Sequence, residues 1–136
     1  MDQRIQQEVA MIAREFGLRF VVCFGSYMTP FFRADSDIDV ALLGHRALEP
    51  AEKAALLEHL IVAFRKSEMD LVDLQTADPL LRAVIARDGF VVYEEEIGLF
   101  ERYAVFYTKH YYECKPLLDQ EMAANRAKIW QVIQDG

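Results

Sequence analysis

The chain has 136 residues, about the length of one domain, which leaves no room for a separate recognition domain of ordinary size. Its composition, 53% hydrophobic and 27% charged, supports a packed core and excludes a disordered or collagen-like chain. Fifteen Lys and Arg against 22 Asp and Glu give a formal charge of −7, a field that repels phosphate backbones, so no direct nucleic-acid partner is expected.

From Asp2 to Phe16 the apolar residues Ile5, Val9, Ile12 and Phe16 recur at steps of three and four, and Gly17 stands where a helix C′ glycine would, which predicts an amphipathic first helix. Leu18 to Phe24 is short, β-branched and aromatic, and it stops at Gly25-Ser26: a largely buried strand followed by a turn. A second strand is predicted over Asp37 to Leu43, ended by Gly44. Pro50 then fits the first turn of a helix with the apolar stripe Leu56, Leu57, Leu60, Ile61 and Phe64. Met69 to Leu74 supplies a third strand. Asp78, an N-cap, and Pro79, at the first helical position, open a short helix that closes near Arg87-Asp88-Gly89, and Phe90 to Tyr93 forms a short fourth strand.

Beyond Glu94 the pattern becomes helical, in two stretches at roughly Glu96 to Cys114 and Leu117 to Gln134 with Pro116 between them. The expected fold is therefore α/β, a small mixed sheet of three or four strands flanked by helices, with a C-terminal helical extension. No repeat or Gly/Ser-rich linker divides it, so residues 1–136 read as one domain, the core about 1–93 and the C-terminal helices about 94–136. No uncharged apolar run approaches the ~20 residues of a membrane span. The N-terminus MDQRIQQEVA has no signal-peptide profile, so no membrane partner and a cytoplasmic location are expected. Cys23 and Cys114 form no CxxC pair and read as reduced thiols without chemistry.

The chemistry lies in FGSYMTPFFRADSDIDVALL. Side chains two apart on a strand share a face, so Asp37 and Asp39 point one way while Ile38 and Val40 point the other. Two carboxylates that close oppose each other's ionisation, and a hard divalent cation such as Mg²⁺, bound together with substrate phosphates, resolves the conflict. Gly25 lets the backbone turn sharply and approach a ligand, and Ser26 offers hydroxyl and backbone N–H groups to phosphate. Asp70, in EMDLVDL, joins the same face if its strand lies beside the Asp37 to Leu43 strand; Asp73 then points to the other face, as an exposed charge or a salt-bridge partner. Such carboxylates can hold two metal ions at an in-line phosphoryl displacement, and a third can accept the nucleophile's proton.

Gly25-Ser26, ten intervening residues and Asp37-Ile38-Asp39 resemble the GS-x10-DxD signature of the DNA polymerase β-like nucleotidyltransferases. The short length, the helix before the first strand and the MDLVDL strand are similar to the minimal nucleotidyltransferases, especially the MntA-type antitoxins of HEPN/MNT toxin–antitoxin modules; the likeness covers roughly Arg14 to Tyr93. It implies the antitoxin of a type VII toxin–antitoxin system that transfers AMP from ATP onto a tyrosine of a cognate HEPN ribonuclease toxin and silences it, the two forming a hetero-oligomer. Carried over by position, Asp37, Asp39 and Asp70 are the catalytic and metal-holding carboxylates for Mg²⁺, two ions in number, and Gly25 and Ser26 hold the triphosphate. Arg33, the only cation of the loop, has two readings, phosphate contact or surface charge. Relatives often carry small residues and a glycine soon after the GS pair, whereas this chain has Tyr27, Met28, Thr29, Pro30, Phe31 and Phe32.

Two other functions share the motif: nucleotidyl transfer to a small hydroxylated molecule such as an aminoglycoside, and a non-catalytic antitoxin that occludes its toxin. His45, His59 and His110 have no partner at metal-ligand spacing and receive no role. Phe100, Tyr103, Phe106, Tyr107, Tyr111 and Tyr112 sit at helical spacing and read either as a face on the domain's own core or as a partner interface, the two coexisting on different faces. Glu94-Glu95-Glu96 reads as an acidic first turn for the following helix.

Overall fold

Gly17 ends the first helix and starts the sheet. The computed structural model describes residues 1–25 and 38–135. In it α1 (Gln3–Phe16) opens at Asp2, whose side chain accepts from the Arg4 N–H at 2.8 Å, and closes at Gly17, left-handed at φ 66° with its N–H turned to the carbonyls of Ala13 and Arg14. The next residue begins β1 (Leu18–Phe24), followed by β2 (Ile38–Gly44), α2 (Pro50–Phe64), β3 (Met69–Asp73), α3 (Pro79–Asp88), β4 (Phe90–Glu94) and α4 (Leu99–Asp135).

Among the described residues the four strands form one mixed sheet in the order β3-β2-β1-β4. β1 pairs antiparallel with both β2 and β4, while β2 and β3 run parallel through the α2 crossover. β1 and β2 are the central strands, which is why both are apolar almost throughout: a strand covered on two faces has no solvent side on which to alternate. α1 and α2 pack on one face, over Val21, Cys23, Ile38, Val40 and Leu42. α3 and α4 cover the other, over Phe20, Val22, Ala41 and Leu43. The expected α/β fold with flanking helices and a helical extension is the observed one.

Local chemistry sets the other boundaries. Arg46 grips Glu52 with two nitrogens, at 2.8 and 2.6 Å, and the Glu49 N–H donates to the same carboxylate at 3.1 Å, so the first turn of α2 is anchored to the loop before it. These contacts, the Arg46 hydrogen bond foremost, hold the Glu52 carboxyl down at about 2. Asp78 caps α3 by accepting from the Leu81 N–H at 2.8 Å, with Pro79 in the first turn. Arg82 then ties α3 to the end of β3 by donating to the Leu74 and Gln75 carbonyls at 2.8 and 2.9 Å. Glu94 receives the N–H groups of Gly98 and Phe100, at 2.9 and 3.1 Å, from the end of β4; Glu94, Glu95 and Glu96 all precede α4, which begins at Leu99, so they are not the acidic first turn expected, and Glu101 is the acidic residue there.

The expected break in the C-terminal helix is overturned as well. Pro116 does not separate two helices; it lies inside the single helix α4. Proline lacks the N–H that would reach the Tyr112 carbonyl, a loss of about 3 kcal/mol in a helix interior. Pro116 and Tyr112 are both exposed, so water can satisfy that carbonyl, and the Lys115–Asp119 ion pair at 2.7 Å supports the turn that follows. The flanking residues are good helix formers without glycine, so the helix continues.

The aromatic set of α4 divides as its two readings allow. Phe100 and Tyr107 are buried against α3 and the sheet, Tyr103 and Tyr111 are half-buried, and Phe106 and Tyr112 are exposed. His45 pairs with Glu95, which also meets Arg19 at 3.6 Å, at the end of β1 away from Gly25. His59 sits edge-on to Phe16 at 5.7 Å. Cys23 and Cys114 are free thiols. Among the described residues no helix is long and apolar enough to cross a membrane.

Candidate active site

Three strand ends meet where β1 finishes and β2 and β3 begin. Asp39 and Asp70, each the second residue of its strand, are direct partners in the parallel β2/β3 register. Neighbouring strands lie ~4.8 Å apart, so the two carboxylates rise side by side. Alternation places them on the α3/α4 face, since Ile38, Val40, Met69 and Leu71 pack toward α1 and α2. Asp39 is half-buried and Asp70 exposed. On its other side Asp39 faces Phe24 of β1.

Gly25 follows Phe24 in a left-handed turn at φ 75°. A Cβ built there would overlap Asp39 Oδ2 and stand 3.3 Å from its Cγ. Glycine is therefore required twice, for the backbone angle and for the space the carboxylate occupies. This contact is the feature the sequence reading missed: spacing assigned Gly25 to phosphate, and thirteen intervening positions carry no sign that its Cα abuts Asp39. Cys23 lies across the sheet from the carboxylates. Burial first, and the charge of Asp39 second, push its thiol up to about 12, so it stays protonated and inert.

Asp73 takes the opposite face, as expected, and pairs with Lys53 of α2 at 3.3 Å with its side chain only 10% exposed. The remaining predicted site residues, Ser26, Arg33 and Asp37, lie outside the described residues, as does the aromatic stretch Tyr27 to Phe32. Among the described residues no three carboxylates, imidazoles or thiols converge. The described part of the site is a pair of carboxylates, oxygen donors that suit a hard cation and leave the rest of its shell to phosphate and water.

Residues 7–97 match the polymerase β nucleotidyltransferase family, a span that includes the whole sheet and both carboxylates. The chain is a member of that family. Members with similar sequence and structure include the protein adenylyltransferase MntA of Shewanella oneidensis, 29% identical over 114 residues that make up 82% of this chain and 81% of that protein. This nucleotidyltransferase also resembles a chain in the crystal structure of a toxin–antitoxin with AMP-PNP, with TM-score 0.69 and 25% identity over 86% of this chain and 98% of that one. A third similar structure is that of a tri-AMPylated Shewanella oneidensis HEPN toxin in complex with MNT antitoxin, with TM-score 0.66 and 26% identity over 90% of this chain and 99% of its counterpart.

Proposed function

We propose that this chain is the antitoxin of a type VII toxin–antitoxin system, a cytoplasmic, single-domain protein adenylyltransferase that moves AMP from ATP to a tyrosine of its cognate HEPN toxin. The observation that carries the reading is the in-register pair Asp39 and Asp70 at the Gly25 turn, in a chain of this family similar to MntA. Similarity to toxin–antitoxin complexes, one with AMP-PNP and one with an AMPylated toxin, supports the nucleotide and the partner.

In this reading the tyrosine oxygen bonds to the α-phosphorus of ATP as the bond from that phosphorus to the β-phosphate bridging oxygen breaks, and pyrophosphate leaves. The hydroxyl proton passes to a carboxylate, a role this reading gives to Asp70, the exposed member of the pair. Asp37, Asp39 and Asp70 would hold Mg²⁺, which when bound supplies charge stabilisation for the attacking and leaving oxygens. Gly25 and Ser26 would hold the triphosphate, and Arg33 would contact a phosphate.

The test is the intact mass of the neighbouring gene product after co-expression with this protein, beside an Asp37→Ala/Asp39→Ala variant. A gain of one or more AMP masses with the parent alone is the expected result. An unmodified product that still forms a stable complex replaces transfer with occlusion; no gain and no complex points to a small-molecule acceptor.

A further inference from the structure

α4 outruns the body it packs on. Residues 119–135 are all exposed, and at 1.5 Å per residue they project roughly 25 Å. The face that α4 buries with Tyr107 and half-buries with Tyr111, Cys114 and Leu118 continues along this projection as Met122, Asn125, Ile129 and Val132; from Leu118 onward the steps alternate four and three, after a step of four from Cys114 to Leu118. That is a heptad seam. Met122, Ile129 and Val132 stand 54%, 60% and 71% exposed.

Charges flank the seam with the same period. Glu121 and Lys128, seven apart, lie along one side; Asp119 and Arg126, seven apart, lie along the other. Glu121, Arg126 and Lys128 have no ion pair among the described residues.

We propose that a second copy of this chain covers the seam, with the two projecting helices antiparallel and Glu121 facing Lys128, and Asp119 facing Arg126, of the other copy. In antiparallel helices equivalent flank positions face each other, so all four flank contacts of this arrangement join opposite charges. A two-fold axis between Ala123 and Ala124 sets Leu118 opposite Ile129 and Met122 opposite Asn125. The same register brings Asp135 opposite Tyr112, immediately past Tyr111, where the body begins to hold α4. Each projecting helix thus reaches the half-buried stretch Tyr111 to Leu118 of the other copy. A parallel pair would force both bodies onto the shared face, because each body lies on the seam side of its own helix.

Sedimentation velocity on the purified full chain over a concentration series tests this, with Glu121→Lys, Lys128→Glu and the double variant. Both changes are at exposed positions, and circular dichroism checks that helicity is kept. The parent dimerises. Either single change sets like charges at two symmetry-related contacts and weakens association about tenfold, and the double variant restores it. A parent that stays monomeric, single variants that associate as tightly as the parent, or a double variant no tighter than the singles overturns the proposal. So does a monomeric parent whose complex with the neighbouring gene product is lost on Met122→Asp/Ile129→Asp, which gives the seam to that partner.

Discussion

Asp39 and Asp70, thirty-one positions apart in the chain, are direct register partners on adjoining parallel strands. A divalent cation bound between the two carboxylates would stabilise the folded chain over the unfolded one. Mg²⁺ is therefore expected to raise the melting temperature of the parent. Asp39→Asn and Asp70→Asn lose the Mg²⁺ response and lower AMP transfer by about a hundredfold or more. Thermal melts with and without MgCl₂, beside a mass assay of transfer, check both parts.

Gly25→Ala tests the contact between the turn and Asp39. The left-handed backbone at φ 75° costs an alanine about 1 kcal/mol, a few degrees in melting temperature. The new Cβ also displaces the Asp39 carboxylate, so transfer falls at least about tenfold beyond what the modest stability loss explains. A chain still folded at the assay temperature, with transfer measured by intact mass, separates the two effects.

The Arg46–Glu52 clamp predicts a pH dependence. The folded carboxyl titrates at about 2 against an ordinary 4.5, so the unfolded chain binds more protons between those values. The stabilisation is complete above the ordinary value and is lost as pH falls toward about 2. Parent and Glu52→Gln melting temperatures, compared from neutral pH downward, are expected to differ at neutral pH and to converge by pH about 2.

Most element boundaries were legible in the sequence because they are set by residues with local rules. Gly17 and Gly25 bracket β1, Pro50 opens α2, and Asp78 with Pro79 opens α3, each where its own backbone preference puts it. Met69 to Leu74 was legible as a strand within one residue; β3 ends at Asp73, although the Leu74 N–H still donates to the Leu42 carbonyl at 2.9 Å. Pro116 misled for the same reason that Pro50 informed. A proline's local rule marks a break, but exposure of the orphaned carbonyl and an ion pair in the following turn let α4 run on.

The chemistry divides along the same line. Sequence by itself determined that Asp39 points away from the Ile38 and Val40 face and that Asp73 opposes Asp70, because side-chain alternation along a strand is a property of one chain segment. Which strands are neighbours, and in what register, is decided by long-range pairing after the α2 crossover. Only that pairing puts Asp70 beside Asp39 and Lys53 beside Asp73. Gly25 against Asp39 likewise exists only once β1 and β2 are paired, since the space a missing Cβ leaves has meaning only when something fills it.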